Sequence, residues 1–328
     1  MAPTRVAAID CGTNTIRLLI ADAHPDPDSG PTGWRLKKVA RRSKIVRLGQ
    51  GVDKTGRLDD EALQRTLEVV ADYAERIQAT GAERVRFVAT SATRDASNRD
   101  VFVDGVRQRL GIEPEVVSGD EEARLSFAGS LLGAQGQGRR LVVDLGGGST
   151  ELVLGTRAPE AAISLDTGSV RVTERYLADG VTPDAEAAAR AHVRDLLDRA
   201  EGVMDLGATE ELVGLAGTIT TITAHALSLA DFEPDSIHGS RLPLGTVLAS
   251  CDAILRSTAA ERESWDYLRP GRRDVIAAGA LVWSEVIGRV AERTAEAGHP
   301  LGSTVTSLTD ILDGIALSLA DGGAQHDG

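Results

Sequence analysis

Two short loops in this 328-residue chain carry the residue types that hold phosphate. Asp10-Cys-Gly-Thr-Asn-Thr-Ile-Arg-Leu-Leu-Ile20 and Asp144-Leu-Gly-Gly-Gly-Ser-Thr-Glu-Leu-Val-Leu154 align at an offset of 134 residues. Asp10 matches Asp144, Gly12 matches Gly146, and Arg17 falls opposite Glu151. Gly12 in the first loop, and Gly146, Gly147 and Gly148 in the second, let the backbone approach an anion closely. Successive N–H groups in such a turn form an anion-binding concavity. Thr13, Asn14, Thr15, Ser149 and Thr150 add side-chain donors. The aspartate ending each preceding strand can hold a divalent cation, because Mg²⁺ takes carboxylate oxygens while keeping several waters. Either loop alone also reads as a tight β-turn. Two in register, each after a strand ending in Asp, imply a duplicated unit that clamps a phosphate chain across a cleft.

The surrounding pattern supplies elements to position these loops. Val6–Ile9 and Ile16–Ala21 read as a hairpin around the first loop. Asp59/Asp60 can cap a helix running to about Thr80, with Gly81 after its end. A short strand at Val85–Val88, a helix at Val101–Leu110, a strand at Val116–Val117 and a helix at Glu121–Leu132 follow. Residues 133–140, rich in Gly, read as a linker. Strands near 141–144, 150–154 and 161–165, a helix near 183–203 and a strand at Leu212–Leu215 repeat the scheme. Asp274–Glu292 and Leu308–Leu319 read as the last two helices. Strands alternating with helices predict an α/β fold. The expected domains are 1–130 and 131–305, with 306–328 a C-terminal helix returning to the first domain and a short tail.

Composition narrows the function. The formal charge is −13, with 36 basic against 49 acidic residues, so nucleic acid is not an expected partner. No apolar run reaches the length of a membrane helix, and the N-terminus reads as a strand rather than a leader. Cys11 and Cys251 lie far apart in apolar contexts, which predicts buried thiols in a reducing cytoplasm. The six histidines form no zinc-ligand cluster, and no Gly-x-Ser-x-Gly elbow, Cys-x5-Arg loop or Walker loop occurs. Lys37, Lys38, Arg41, Arg42, Lys44 and Arg47 put six positive charges into eleven residues. They form either a solvated strand face or a track for a polyanion, and alternation along a strand would split them between two faces.

Three segments carry a specific resemblance. Ala89-Thr-Ser-Ala-Thr-Arg-Asp-Ala-Ser-Asn98, Ser118-Gly-Asp-Glu-Glu-Ala-Arg124 and Asp144-Leu-Gly-Gly-Gly-Ser-Thr-Glu151 resemble, in order and spacing, the signature blocks of the exopolyphosphatase and guanosine pentaphosphate phosphatase family. Leu215-Ala-Gly-Thr-Ile-Thr220 and Pro270-Gly-Arg-Arg-Asp-Val-Ile276 continue the match. The resemblance implies two duplicated actin-like (ribonuclease H-like) α/β domains with an interdomain cleft. It implies Glu122 as the general base that takes a proton from the attacking water. On chemistry alone, Glu121 and Glu122 are equally a charged first helical turn favoured by the helix dipole. The resemblance also implies Asp144 and Glu151 as metal-organising acids for Mg²⁺ or Mn²⁺, and Asp10, by its place before the first loop, is a further candidate ligand. Arg94 is the implied phosphate-gripping guanidinium, and Gly217 and Thr218 a third loop. Arg17, standing where the second loop has an acid, reads either as a second such guanidinium or as a surface strand arginine. A cytoplasmic homodimer acting on inorganic polyphosphate or guanosine pentaphosphate, away from membranes, is the expected whole. The rival readings are an actin-like ATPase or kinase, and a non-catalytic polyphosphate or nucleotide sensor.

Overall fold

The computed structural model describes residues 3–132, 134 and 138–320. The chain divides into two compact units, one of residues up to 136 together with those from 309 onward, the other of 137–308. The breaks expected at 130 and 305 thus fall at 136 and 308. Of the expected linker, residues 133 and 135–137 lie outside the described residues, as does the tail from 321.

Unit 1 begins with β1 (Thr4–Cys11), β2 (Thr15–Pro25) and β3 (Trp34–Ile45). A single turn α1 (Val52–Thr55) and the long α2 (Asp60–Thr80) follow. The α2 boundaries are chemical: the Asp59 carboxylate accepts from the N–H groups of Glu61 and Ala62, and Gly81 ends the helix at φ 67°. Next come β4 (Arg84–Ala89), α3 (Ser91–Asp95), α4 (Arg99–Leu110), β5 (Glu115–Val116) and α5 (Gly119–Ser130). The sheet runs β3-β2-β1-β4-β5, antiparallel across β3-β2-β1 and parallel across β1-β4-β5.

Unit 2 contains β6 (Arg140–Leu145), β7 (Thr150–Gly155), β8 (Pro159–Leu165), α6 (Ser169–Val172) and α7 (Pro183–Glu201). It continues with β9 (Glu211–Leu215), α8 (Ala216–Ala226), α9 (Pro234–Ile237), β10 (Arg241–Pro243), α10 (Leu244–Arg256), α11 (Ala259–Glu263), α12 (Ile276–Glu296) and β11 (Ser303–Thr306). Its sheet runs β8-β7-β6-β9-β11-β10. The first five strands repeat the order and the parallel or antiparallel sense of unit 1. Each unit is therefore a ribonuclease H-like α/β unit, and the duplication inferred from two loops extends to whole sheets. Trp283 of α12 is fully buried in a core built mostly from Leu, Val, Ile and Ala.

In unit 1 the period-2 alternation of β1 feeds two cores. Ala7, Ile9 and Cys11 face Val70 and Tyr73 of α2 and Phe102 of α4. Val6 and Ala8 face Leu125 of α5 and the last helix, α13 (Ile311–Ala320), through Ile311, Leu312 and Ile315. Helices α5 and α13 meet backbone to backbone. A Cβ on Gly129 would lie 1.8 Å from the Asp310 carbonyl oxygen, and one on Gly314 would lie 1.9 Å from that of Leu125. Both cysteines are buried, and burial pushes the Cys251 thiol up to about 12, so neither offers a thiolate.

The basic stretch lies on β3, with Arg47 just beyond it, and a register shift at Ile20/Ala21 interrupts the alternation. Lys37, Arg42 and Lys44 pair with Asp22, Leu18 and Ile16, on the α2 face. Lys38 and Arg41 pair with Ala21 and Leu19, on the α13 face, where Arg41 is drawn into ion pairs with Asp310 and Asp313. The six charges do not form one track.

Candidate active site

The two loops are built alike, bond for bond. The Gly12 N–H donates to Thr15 O at 3.0 Å, and the Gly146 N–H donates to Ser149 O at 3.0 Å. Asp10 lies directly across the hairpin from Arg17, and Asp144 from Glu151. Cross-strand partners share a face, so each pair projects to the same side of its sheet.

Each loop is also braced from outside by the segment that follows the third strand of its hairpin pair. In unit 1 the N–H groups of Val46 and Arg47 donate to Asn14 O, and that of Gly49 to Thr13 O. In unit 2 the N–H groups of Ser169, Val170 and Arg171 donate to the carbonyls of Gly146 and Gly147. Arg171 Nε donates to Gly148 O at 2.7 Å. With these carbonyls committed to the brace, what each loop has to offer an anion is its N–H groups beyond those of Gly12 and Gly146, which close the turns. Both braces depend on a glycine. A Cβ on Gly49 would lie 2.4 Å from Thr13 Cγ2, and one on Gly168 would lie 2.5 Å from Gly147 O. We expect Gly49→Ala to weaken the binding of an anion such as inorganic triphosphate by roughly an order of magnitude, about 1.4 kcal/mol. Calorimetry checks this, and an unchanged Kd would show that the brace does not shape the loop. Gly49, Gly168 and Arg171 escaped the sequence reading, because nothing local marks a residue that contacts a loop more than 20 positions away.

The structure separates the two adjacent glutamates. Ser118 caps α5, its hydroxyl accepting from the Glu121 N–H at 3.2 Å. Glu121 turns to Arg86, which donates to it at 3.2 Å and also grips Glu115. Glu122 is 8% exposed and has a different partner, accepting from Arg94 Nη1 at 3.2 Å. Arg94 is held in place by Val117 O at 2.9 Å. Helix α3, which carries Arg94, starts against the first loop: the Thr90 N–H donates to Cys11 O, and Ser91 Oγ lies 3.3 Å from Thr13 Oγ1. Within unit 1, then, the loop residues Gly12 and Thr13, the guanidinium of Arg94 and the carboxylate of Glu122 are linked through α3.

Asp10 departs from the expectation of an open metal ligand. Arg17 Nε donates to its Oδ2 at 2.8 Å, and Nη2 approaches the same oxygen at 2.6 Å. Burial raises its carboxyl above the ordinary value despite the Arg17 charge. A cation there would have to displace a guanidinium. Arg17 is likewise no open phosphate arginine, since its Nη1 also pairs with Asp310.

In unit 2, Asp144 and Glu151 are 7% and 2% exposed. Glu151 Oε1 accepts from Ser164 Oγ at 2.7 Å, which orients it, and Thr150 Oγ1 donates to Thr167 O. Among the described residues no group of three or more His, Cys, Asp or Glu forms a metal cage. Two carboxylates on neighbouring strands beside a phosphate loop are what Mg²⁺ needs from protein when substrate oxygens and waters complete its shell. The third loop opens α8. Ala216 there adopts φ 67°, a strained value for a residue with a side chain. The Arg272 guanidinium lies flat on Gly217, where a Cβ would come within 2.0 Å of Cζ. Thr218 is buried against Gly279.

A sequence model described as the Ppx/GppA phosphatase family matches residues 28–297. Exopolyphosphatase 2 of Mycobacterium tuberculosis is 46% identical over 328 residues, covering 98% of this chain and all of that protein. A guanosine-5'-triphosphate,3'-diphosphate pyrophosphatase of Vibrio vulnificus is 36% identical over 219 residues, 66% of this chain and 42% of its own length. Among solved structures, an exopolyphosphatase-like protein superposes with a TM-score of 0.91 at 41% identity, covering 98% of this chain and 99% of the other.

Proposed function

Since the chain belongs to the Ppx/GppA phosphatase family, we propose that it is an exopolyphosphatase that releases terminal orthophosphate from inorganic polyphosphate. The observation that carries this reading is the Glu122–Arg94 pair. A buried carboxylate beside a guanidinium offers a base next to a phosphate-binding group, which a nucleotide clamp alone does not require. Glu122 takes the proton of the water that attacks the terminal phosphorus. The bond from that phosphorus to the bridging oxygen breaks, and the shortened chain leaves with the bridging oxygen. Arg94 and the loop N–H groups stabilise the charge on the transferring phosphoryl group.

Asp144 and Glu151 would hold Mg²⁺, with Mn²⁺ as a substitute. Bound there, the ion neutralises phosphate oxygens. Chelation with EDTA is therefore expected to stop phosphate release, and added Mg²⁺ to restore it. Full activity after exhaustive chelation would remove the metal from the reading.

Guanosine pentaphosphate is the second candidate substrate. It ends in the same phosphoanhydride, and the Vibrio relative is named for this nucleotide, guanosine 5'-triphosphate 3'-diphosphate. Colorimetric phosphate release from short polyphosphate, long polyphosphate and guanosine pentaphosphate, with either metal, decides between them. Tight polyphosphate binding without release would favour a sensor. Two buried unbridged cysteines support a reducing, cytoplasmic setting, and among the described residues no helix is long and apolar enough to cross a membrane. The expected homodimer is checked by light scattering.

A further inference from the structure

Five charged side chains form a chain through unit 1, and its members come from both ends of the sequence. Asp10 pairs with Arg17, Arg17 with Asp310, Asp310 with Arg41, and Arg41 with Asp313. Arg41 Nη1 contacts both Asp313 oxygens at 2.9 Å, and Nη2 reaches Asp310 Oδ1 at 3.3 Å. The same Asp310 oxygen accepts from the Leu312 N–H at 3.0 Å, capping α13, while the Asp310 N–H donates to Asp313 Oδ2. All three aspartates are at most 6% exposed.

Such a network is a poor device for stability. Burying ions costs several kcal/mol each, and well-packed apolar residues of similar volume often do as well or better. Capping α13 needs no charge, since Asn or Ser serves equally. What a buried ion network does supply is a single arrangement, and this one ends at the foot of the first phosphate loop. Unit 2 shows the contrast. At the position of Arg17 it has an acid, Glu151, which accepts from the Ser164 hydroxyl of its own hairpin.

We propose that Asp310 is a positioning residue for the first phosphate loop: pinned by Arg41 and by the Leu312 N–H, it fixes the Arg17 guanidinium against Asp10, and so fixes the loop that begins there. The proposal rests on the phosphohydrolase reading for its substrate, but its test can fail separately. Asp310 acts through Arg17, so the two residues must behave as one unit toward substrate.

The experiment is a double-mutant cycle of Asp310→Asn and Arg17→Met, in the Mg²⁺-loaded full chain. Each single variant is expected to raise the KM for short-chain polyphosphate at least fivefold with kcat changed less than twofold. The double variant should be no worse than the worse single. The same cycle is read as polyphosphate Kd by calorimetry in a Glu122→Gln background, which needs no turnover. Unchanged KM and Kd in Asp310→Asn would overturn the proposal. So would effects that multiply in the double variant, or a loss confined to thermal stability and kcat. If Asp310→Asn gives no folded protein, Asp310→Ser, which keeps the cap, takes its place in the cycle. Wild-type protein that binds polyphosphate without hydrolysing it would sink the enzymatic reading and leave the Kd cycle to decide this one. Wild-type protein that does not bind it sinks both.

Discussion

Glu122→Gln is expected to lower phosphate release by about 10²–10⁴-fold, the range a positioned general base contributes. Polyphosphate binding should survive. The amide oxygen of Gln can still accept from Arg94 Nη1, and Arg94 keeps its second anchor on Val117 O. The variant therefore removes a proton acceptor and leaves the phosphate grip. Glu121→Gln is the matched control. Glu121 belongs to a partly exposed ion pair with Arg86, of a kind worth about 0–1 kcal/mol. Its release rate should stay within twofold of wild type. Steady-state assays on both variants, with calorimetric binding on the first, check the assignment. Undiminished turnover by Glu122→Gln would refute it.

The largest structural effect is expected at Gly314. Its missing Cβ makes room for the Leu125 carbonyl oxygen of α5, and Gly129 does the same for Asp310 O. The obstacle is backbone on both sides, so no rotamer change relieves the clash. Gly314→Ala must push α13 away from the helix that carries Glu122. Overpacking of this kind costs typically 1–3 kcal/mol and occasionally more; we expect about 3. For a unit of this size that is a fall of roughly 6–12 °C in Tm. Activity should fall with it, because α5 and the charged head of α13 shift together. Gly288 in α12 gives the opposite result. It is exposed, with nothing near its missing Cβ, so Gly288→Ala should stabilise by about 0.5–1 kcal/mol. Thermal melts of the two variants, moving in opposite directions, check the packing account.

Much of this was legible before any coordinates. Helix α2 announces itself through Asp59 at its start, Gly81 at its end and an apolar stripe between. The loops announce themselves because glycine, aspartate and small hydroxyl residues are rarely grouped so without a backbone reason. The readable features are those in which partners are neighbours in sequence. Arg17 shows the limit. Its position opposite Glu151 follows from aligning the loops, but its partner Asp310 is 293 residues away, and no local pattern connects them. Arg41 reads in sequence as one of six charges divided between two strand faces, and only the fold brings it to Asp310 and Asp313. The short strands β10, at the sheet edge, and β11, beside it, also went unread, being three and four residues long and fixed by pairing rather than propensity.

Helix α13 bears on how the molecule is made. A ribosome releases the chain from its N-terminus, and the cover that Leu125 gives Val6, Ala8, Leu19 and Ala21 is completed only when Ile311, Leu312 and Ile315 emerge. The continuous stretch 137–308 can fold first, while the older segment waits. At 5–20 residues per second, the wait between residues 136 and 320 is roughly ten to forty seconds. For that interval one face of the nascent sheet is an apolar surface open to chaperones.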